Sequence, residues 1–87
     1  MNPKIKWKKR YKKCAICDSD NYHILDVHRI KPGALDGQYV LNNILVVCAN
    51  DHRRIHSGEI EIIQLAQSTS GQLLIYKEFG EEFIKLI

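Results

Sequence analysis

The sequence predicts a small α+β domain, and three observations predict it. Two apolar runs rich in β-branched residues, ILDVHRI (24–30) and VLNNILVV (40–47), flank a loop marked by Pro32, Gly33, Asp36 and Gly37. They read as two antiparallel strands, with the asparagines near the start of the second. CANDHRRIHSG (48–58) follows at once and suits a short helix ended by Gly58. The third observation is a C-x-x-C, Cys14 and Cys17, inside the polar stretch CAICDSDNYH, which has the composition of a metal knuckle rather than of a strand.

Each remaining element has its own signal. EIEIIQLAQ (59–67) and QLLIYKEF (72–79) read as strands of a hairpin closed by STSG. The last segment, EEFIKLI (81–87), reads as a terminal helical turn that sets Phe83, Ile84 and Ile87 against the body. The organisation is thus a basic arm over 1–13, expected to be flexible, a core over 14–58, and a C-terminal hairpin and helix over 59–87 on the same single domain. No internal repeat is present.

Eighty-seven residues make a marginal core, and domains of this size commonly rely on metals or disulfides. No stretch approaches the roughly 20 apolar residues of a membrane span, and none behind the basic N-terminus resembles a signal peptide. The expectation is a soluble, cytoplasmic chain, in which three cysteines point to metal rather than to disulfides.

The net charge of +3 hides an asymmetry. MNPKIKWKKRYKK holds Lys4, Lys6, Lys8, Lys9, Arg10, Lys12 and Lys13 and no acid, whereas the other 74 residues hold six basic and ten acidic side chains. A basic arm on a mildly acidic body reads as a phosphate-binding tail, with Trp7 and Tyr11 available to stack on bases. The alternative is a solubilising leader without fixed structure.

Chemistry concentrates in two sets of residues. Cys14, Cys17 and Cys48 are candidate thiol ligands for a metal ion. His52 and His56 stand at i and i+4 on the helix, so both imidazoles face one side and can grip one divalent ion. His28, on the first strand, is a third candidate ligand.

Taken together in this order and spacing, CAIC, LDVHRIKPG and GQYVLNNILVVCANDHRRIHSG resemble an HNH endonuclease domain of the ββα-metal kind, with a zinc knuckle. The resemblance covers about half the chain. It implies a small ββα-metal core and a metal-dependent endonuclease that cuts or nicks double-stranded DNA, of phage, mobile-element or restriction type, in a bacterial, archaeal or phage-infected cell. By position, His28, His52 and His56 would hold the catalytic Mg²⁺, Mn²⁺, Ni²⁺ or Zn²⁺, and Asn43 would brace the loop or assist at the metal. Cys14, Cys17 and Cys48 would hold a structural Zn²⁺. The basic arm, with Arg53 and Arg54, would meet DNA, and double-strand cleavage would call for two copies or two encounters.

The sequence departs from that pattern twice. Asp51 stands where a fourth cysteine belongs, so the zinc site is completed by Asp51 or by His23, or holds no metal. Arg29 stands where the general-base histidine belongs, and a guanidinium accepts no proton. Three readings stay open: His28 is the base and Asp26 or another group a ligand; Tyr39 activates water; or no dedicated base exists and hydroxide from bulk or a second metal-bound water attacks, with Arg29 holding the phosphate in either of the last two. A further alternative makes Cys14, Cys17, Cys48 and His52 one four-ligand zinc set in a non-catalytic nucleic-acid-binding module.

Overall fold

The computed structural model describes residues 3–87. Two helices and two antiparallel sheets make an α+β structure. The elements run α1 (Pro3–Tyr11), β1 (Leu25–Arg29), β2 (Ile44–Cys48), α2 (Ala49–His56), β3 (Ile60–Ser68), β4 (Gly71–Glu78) and β5 (Glu81–Leu86), with one-turn 3-10 helices at Tyr22–Ile24 and Gly33–Leu35. The chain divides into two units, 1–52 and 53–87, with the division inside α2. No helix among the described residues is long and apolar enough to cross a membrane.

In the first unit β1 and β2 pair antiparallel, from Leu25 opposite Cys48 to Arg29 opposite Ile44. β2 is buried at all five positions, whereas β1 alternates, with Leu25 and Val27 buried and Asp26 and His28 half-exposed. That period of two places Asp26 and His28 on one face of β1 and Arg29 on the other.

The arm expected to be flexible is a nine-residue helix, α1, packed against β1 and β2. Pro3 opens it at a position that needs no N–H, and Lys8, Lys9 and Arg10 complement its negative end. Lys12, at φ 61, closes it by donating its N–H to the Lys8 carbonyl. The decisive residue is Trp7, only 6% exposed: burying its indole outweighs the repulsion among the lysines. Trp7 is therefore unavailable for base stacking, which corrects that expectation. Lys6 and Arg10 lie over its ring at 5.0 and 5.9 Å.

The second unit is a β3-β4-β5 meander. β3 and β4 join through Thr69–Ser70, with one register shift between Ile62 and Gln64. The final segment is strand β5 rather than a helix. Phe79 and Gly80, at φ 51 and 80, form a two-residue turn of the type I′ kind that matches strand twist and reverses the chain onto β4. Alternation then sends Phe83 to the face of Tyr76, with rings 5.5 Å apart, and leaves Ile84 exposed instead of packed on the body.

Trp7 is the single tryptophan, so its emission reports on α1 directly. Native fluorescence should be blue-shifted and move red on unfolding. Trp7→Ala should cost about 3–5 kcal/mol in urea denaturation. A loss under about 1 kcal/mol would mean that α1 does not depend on this residue.

Candidate metal centres

Among the described residues, two groups of side chains that could hold a metal ion come together. In the first, the ligand atoms of Cys14, Cys17, Cys48 and Asp51 all lie within 4.8 Å of one another, close enough to bind a metal ion. The turn after α1 supplies Cys14 and Cys17. It is tied to β2 by the Ala15 N–H on the Val46 carbonyl at 2.8 Å, and closed by the Cys14 N–H on the Ser19 carbonyl. The end of β2 supplies Cys48, and the first turn of α2 supplies Asp51.

The donor chemistry fits zinc. A Zn–S bond of about 2.3 Å implies sulfurs about 3.8 Å apart in a tetrahedron, and the Cys17 and Cys48 sulfurs are 3.8 Å apart. Asp51 Oδ2 lies 3.1 Å from Cys14 Sγ and 3.3 Å from Cys48 Sγ. The main-chain N–H groups of Ile16 and Asp51 point at Cys14 and Cys48 Sγ, at 3.4 and 3.5 Å. Asp51 is 3% exposed, and Cys14 and Cys48 are equally buried, whereas Cys17 faces solvent. Burial, reinforced by the Asp51 carboxylate, pushes the Cys14 thiol up to about 12 against main-chain donors that favour the thiolate. Burial likewise raises Cys17. A dication reverses this preference by stabilising thiolates directly. His23 is exposed on a 3-10 turn and lies outside the group, so Asp51 takes the fourth place.

In the second group the ring nitrogens of His28, His52 and His56 lie within 4.8 Å of one another. β1 presents His28, and α2 carries His52 and His56 one turn apart. The His28 and His52 rings meet edge to face with centroids 5.2 Å apart. His52 thus belongs here and not among the cysteines, which removes the four-ligand set that included it. Asp51 and His52, adjacent on α2, point about 100° apart and so serve different groups.

Asp26 Oδ2 lies 3.3 Å from His52 Nδ1. Accepting the Nδ1–H fixes the ring and leaves Nε2 as the ligating nitrogen. By sequence alone Asp26 is a candidate ligand. The signal for its position was the strand period, which makes residues 26 and 28 neighbours on one face. Beside this pair lies a cleft of about 330 Å³, lined by Lys4, Ile5 and Lys8 of α1, Leu25, Asp26 and Val27 of β1, and His52.

Arg29 and Tyr39 stand elsewhere. The Arg29 guanidinium lies 4.5 Å above the Tyr39 ring and packs over Gly33, where an added Cβ would sit 2.6 Å from it. Arg29 occupies the opposite face of β1 from His28, so neither a phosphate clamp at the histidines nor a base on Tyr39 follows from this arrangement. Asn43 braces the same loop. Its Oδ1 accepts from the Lys31 N–H at 2.7 Å, and its Nδ2 donates to the Lys31 and Gln38 carbonyls at 3.1 and 2.9 Å.

Among the other basic residues, Lys8 lies 4.4 Å over the Tyr22 ring and Lys13 pairs with Asp18 at 3.5 Å. Arg54 is bound by Glu59 and Glu78 and so is not the open cation expected for DNA, while Arg53 is exposed. Comparison with protein-family models, curated proteins and solved structures found no match.

The metal-free chain should lose thermal stability as pH climbs from 9 towards 12. Cys14 holds its proton more tightly folded than unfolded, so the folded state's advantage is complete below 9 and is lost near the folded value. Melting scans with and without a zinc chelator test this: only the chelated sample should fall, and parallel curves would contradict it. Asp51→Ala should lower zinc affinity measured by competition with a chromogenic chelator.

Proposed function

We propose that the chain is a metal-dependent DNA endonuclease of the HNH kind, with a ββα-metal core formed by β1, β2 and α2 and a structural zinc in the Cys14–Cys17–Cys48–Asp51 group. The observation that carries this reading is the convergence of His28, His52 and His56 beside a lysine-lined cleft. A set of three neutral imidazoles leaves coordination positions for other ligands, as catalytic sites do.

A divalent ion held by these histidines would polarise a phosphodiester and stabilise the leaving oxygen. The chain's own residues supply the rest. His28, His52 and His56 hold the ion, and Asp26 aligns His52. Lys4 and Lys8 attract the DNA backbone towards the cleft. Arg29, Tyr39 and Asn43 fix the loop between β1 and β2 rather than touch the scissile phosphate. No side chain is assigned to deprotonate water, so hydroxide from solvent attacks, and cleavage is slow and rises with pH.

The displacement of Arg29 from the histidines, with no histidine next to His28 in the sequence, favours one other reading: a non-catalytic zinc module that binds nucleic acid through α1. Plasmid nicking in Mg²⁺, Mn²⁺, Ni²⁺ and Zn²⁺ separates the two. Nicking should appear with one of these metals and rise by up to about tenfold per pH unit near neutrality, as first-order dependence on hydroxide requires. His56→Ala should abolish nicking and leave the zinc content unchanged. No nicking in any metal, with DNA binding intact, would establish the module instead.

Asp26→Asn should weaken binding of the exchangeable metal roughly 10- to 100-fold without releasing zinc. Isothermal titration with Ni²⁺ measures it, and unchanged affinity would remove Asp26 from the site.

A further inference from the structure

The outer edge of β5 is built for another strand. Ile87 donates its N–H to the Gln72 carbonyl at 2.9 Å, and in an antiparallel pair every second residue turns its main-chain groups to the same neighbour. Glu81, Phe83 and Lys85 therefore face β4, in register with Glu78, Tyr76 and Leu74. Glu82, Ile84 and Leu86 turn theirs outward, where no strand pairs among the described residues.

Natural sheets blunt such an edge with prolines, bulges or cover. The opposite edge, β3, has a register shift at Ile62/Gln64, whereas the pairing of β5 is uninterrupted. β5 contains no proline, and its side chains Ile84 and Leu86 are 66% and 52% exposed.

We infer that β5 pairs antiparallel with β5 of a second copy of this chain, joining two three-stranded sheets into one. A two-fold axis normal to the sheet keeps each face on its own side, so residues of like parity stand opposite one another. With Phe83 on the axis, Glu82 and Ile84 of the two copies exchange main-chain hydrogen bonds, and Glu81 stands opposite Lys85 of the second copy. The charges favour this occupant. Within its own hairpin Glu81 lies opposite Glu78, a like charge. The second copy brings a lysine to Glu81 and a glutamate to Lys85, twice over.

Sedimentation equilibrium on the full chain should show a concentration-dependent dimer. Lys85→Glu should raise its dissociation constant about tenfold, and adding Glu81→Lys to that variant should restore it, since opposite charges then face each other again. Hydrogen exchange at the amides of Glu82, Ile84 and Leu86 should slow as concentration rises, which separates loss of pairing from loss of fold. A monomer at all concentrations overturns the inference. So does a dimer indifferent to these substitutions, or concentration-independent exchange at the three amides, as pairing with a different protein would also give.

Discussion

Asp51 is a carboxylate buried among thiols, and that placement constrains everything around it. A charge removed from water needs a proton or a cation beside it, and the three surrounding sulfurs can accept the same cation. The demand reaches across the chain, because the turn after α1, the end of β2 and the start of α2 must all arrive at one point. Once Asp51 is fixed in the first turn of α2, the helix has no rotational freedom left. His52, the next residue, is then aimed at β1, and His56 follows one turn later. The histidine group is in this sense a consequence of the cysteine group.

The loop between β1 and β2 shows how a residue in a site-like position takes on a supporting role. Arg29 follows His28 in sequence, yet the pleat of the strand separates their side chains. The guanidinium instead packs on Tyr39 and over Gly33, where an added Cβ would displace it. Asn43 completes the brace with three hydrogen bonds to the main chain. Together they hold the strand ends at the register that brings Leu25 opposite Cys48.

Much of this was legible in the sequence, because strong local signals coincide with the fold. The first β-branched run is a strand and the second becomes one only from Ile44, after a turn over 41–43, while the C-x-x-C is a turn and the i, i+4 histidines lie on a helix ended near Gly58. What was illegible depended on competition between levels. The basic arm reads as self-repelling, and one tryptophan finding a buried place against β1 and β2 reverses that. EEFIKLI fits a helical turn as well as a strand until the Phe79–Gly80 reversal supplies β4 as a partner. Asp26 is not adjacent to His28 in sequence, whereas in a strand the neighbours on one face are two apart.

The meander has a consequence for the order of folding. Its strands are joined through Thr69–Ser70 and Phe79–Gly80, so every pairing closes a short loop. The first unit must instead bring Leu25 to Cys48 and Cys14 to Asp51, the latter 37 residues away. Loop closure of that length delays the reward of each contact, and local pairings form sooner. The pairings of the C-terminal ribbon thus close shorter loops than those of the first unit, whose distant candidate ligands a bound metal ion would gather.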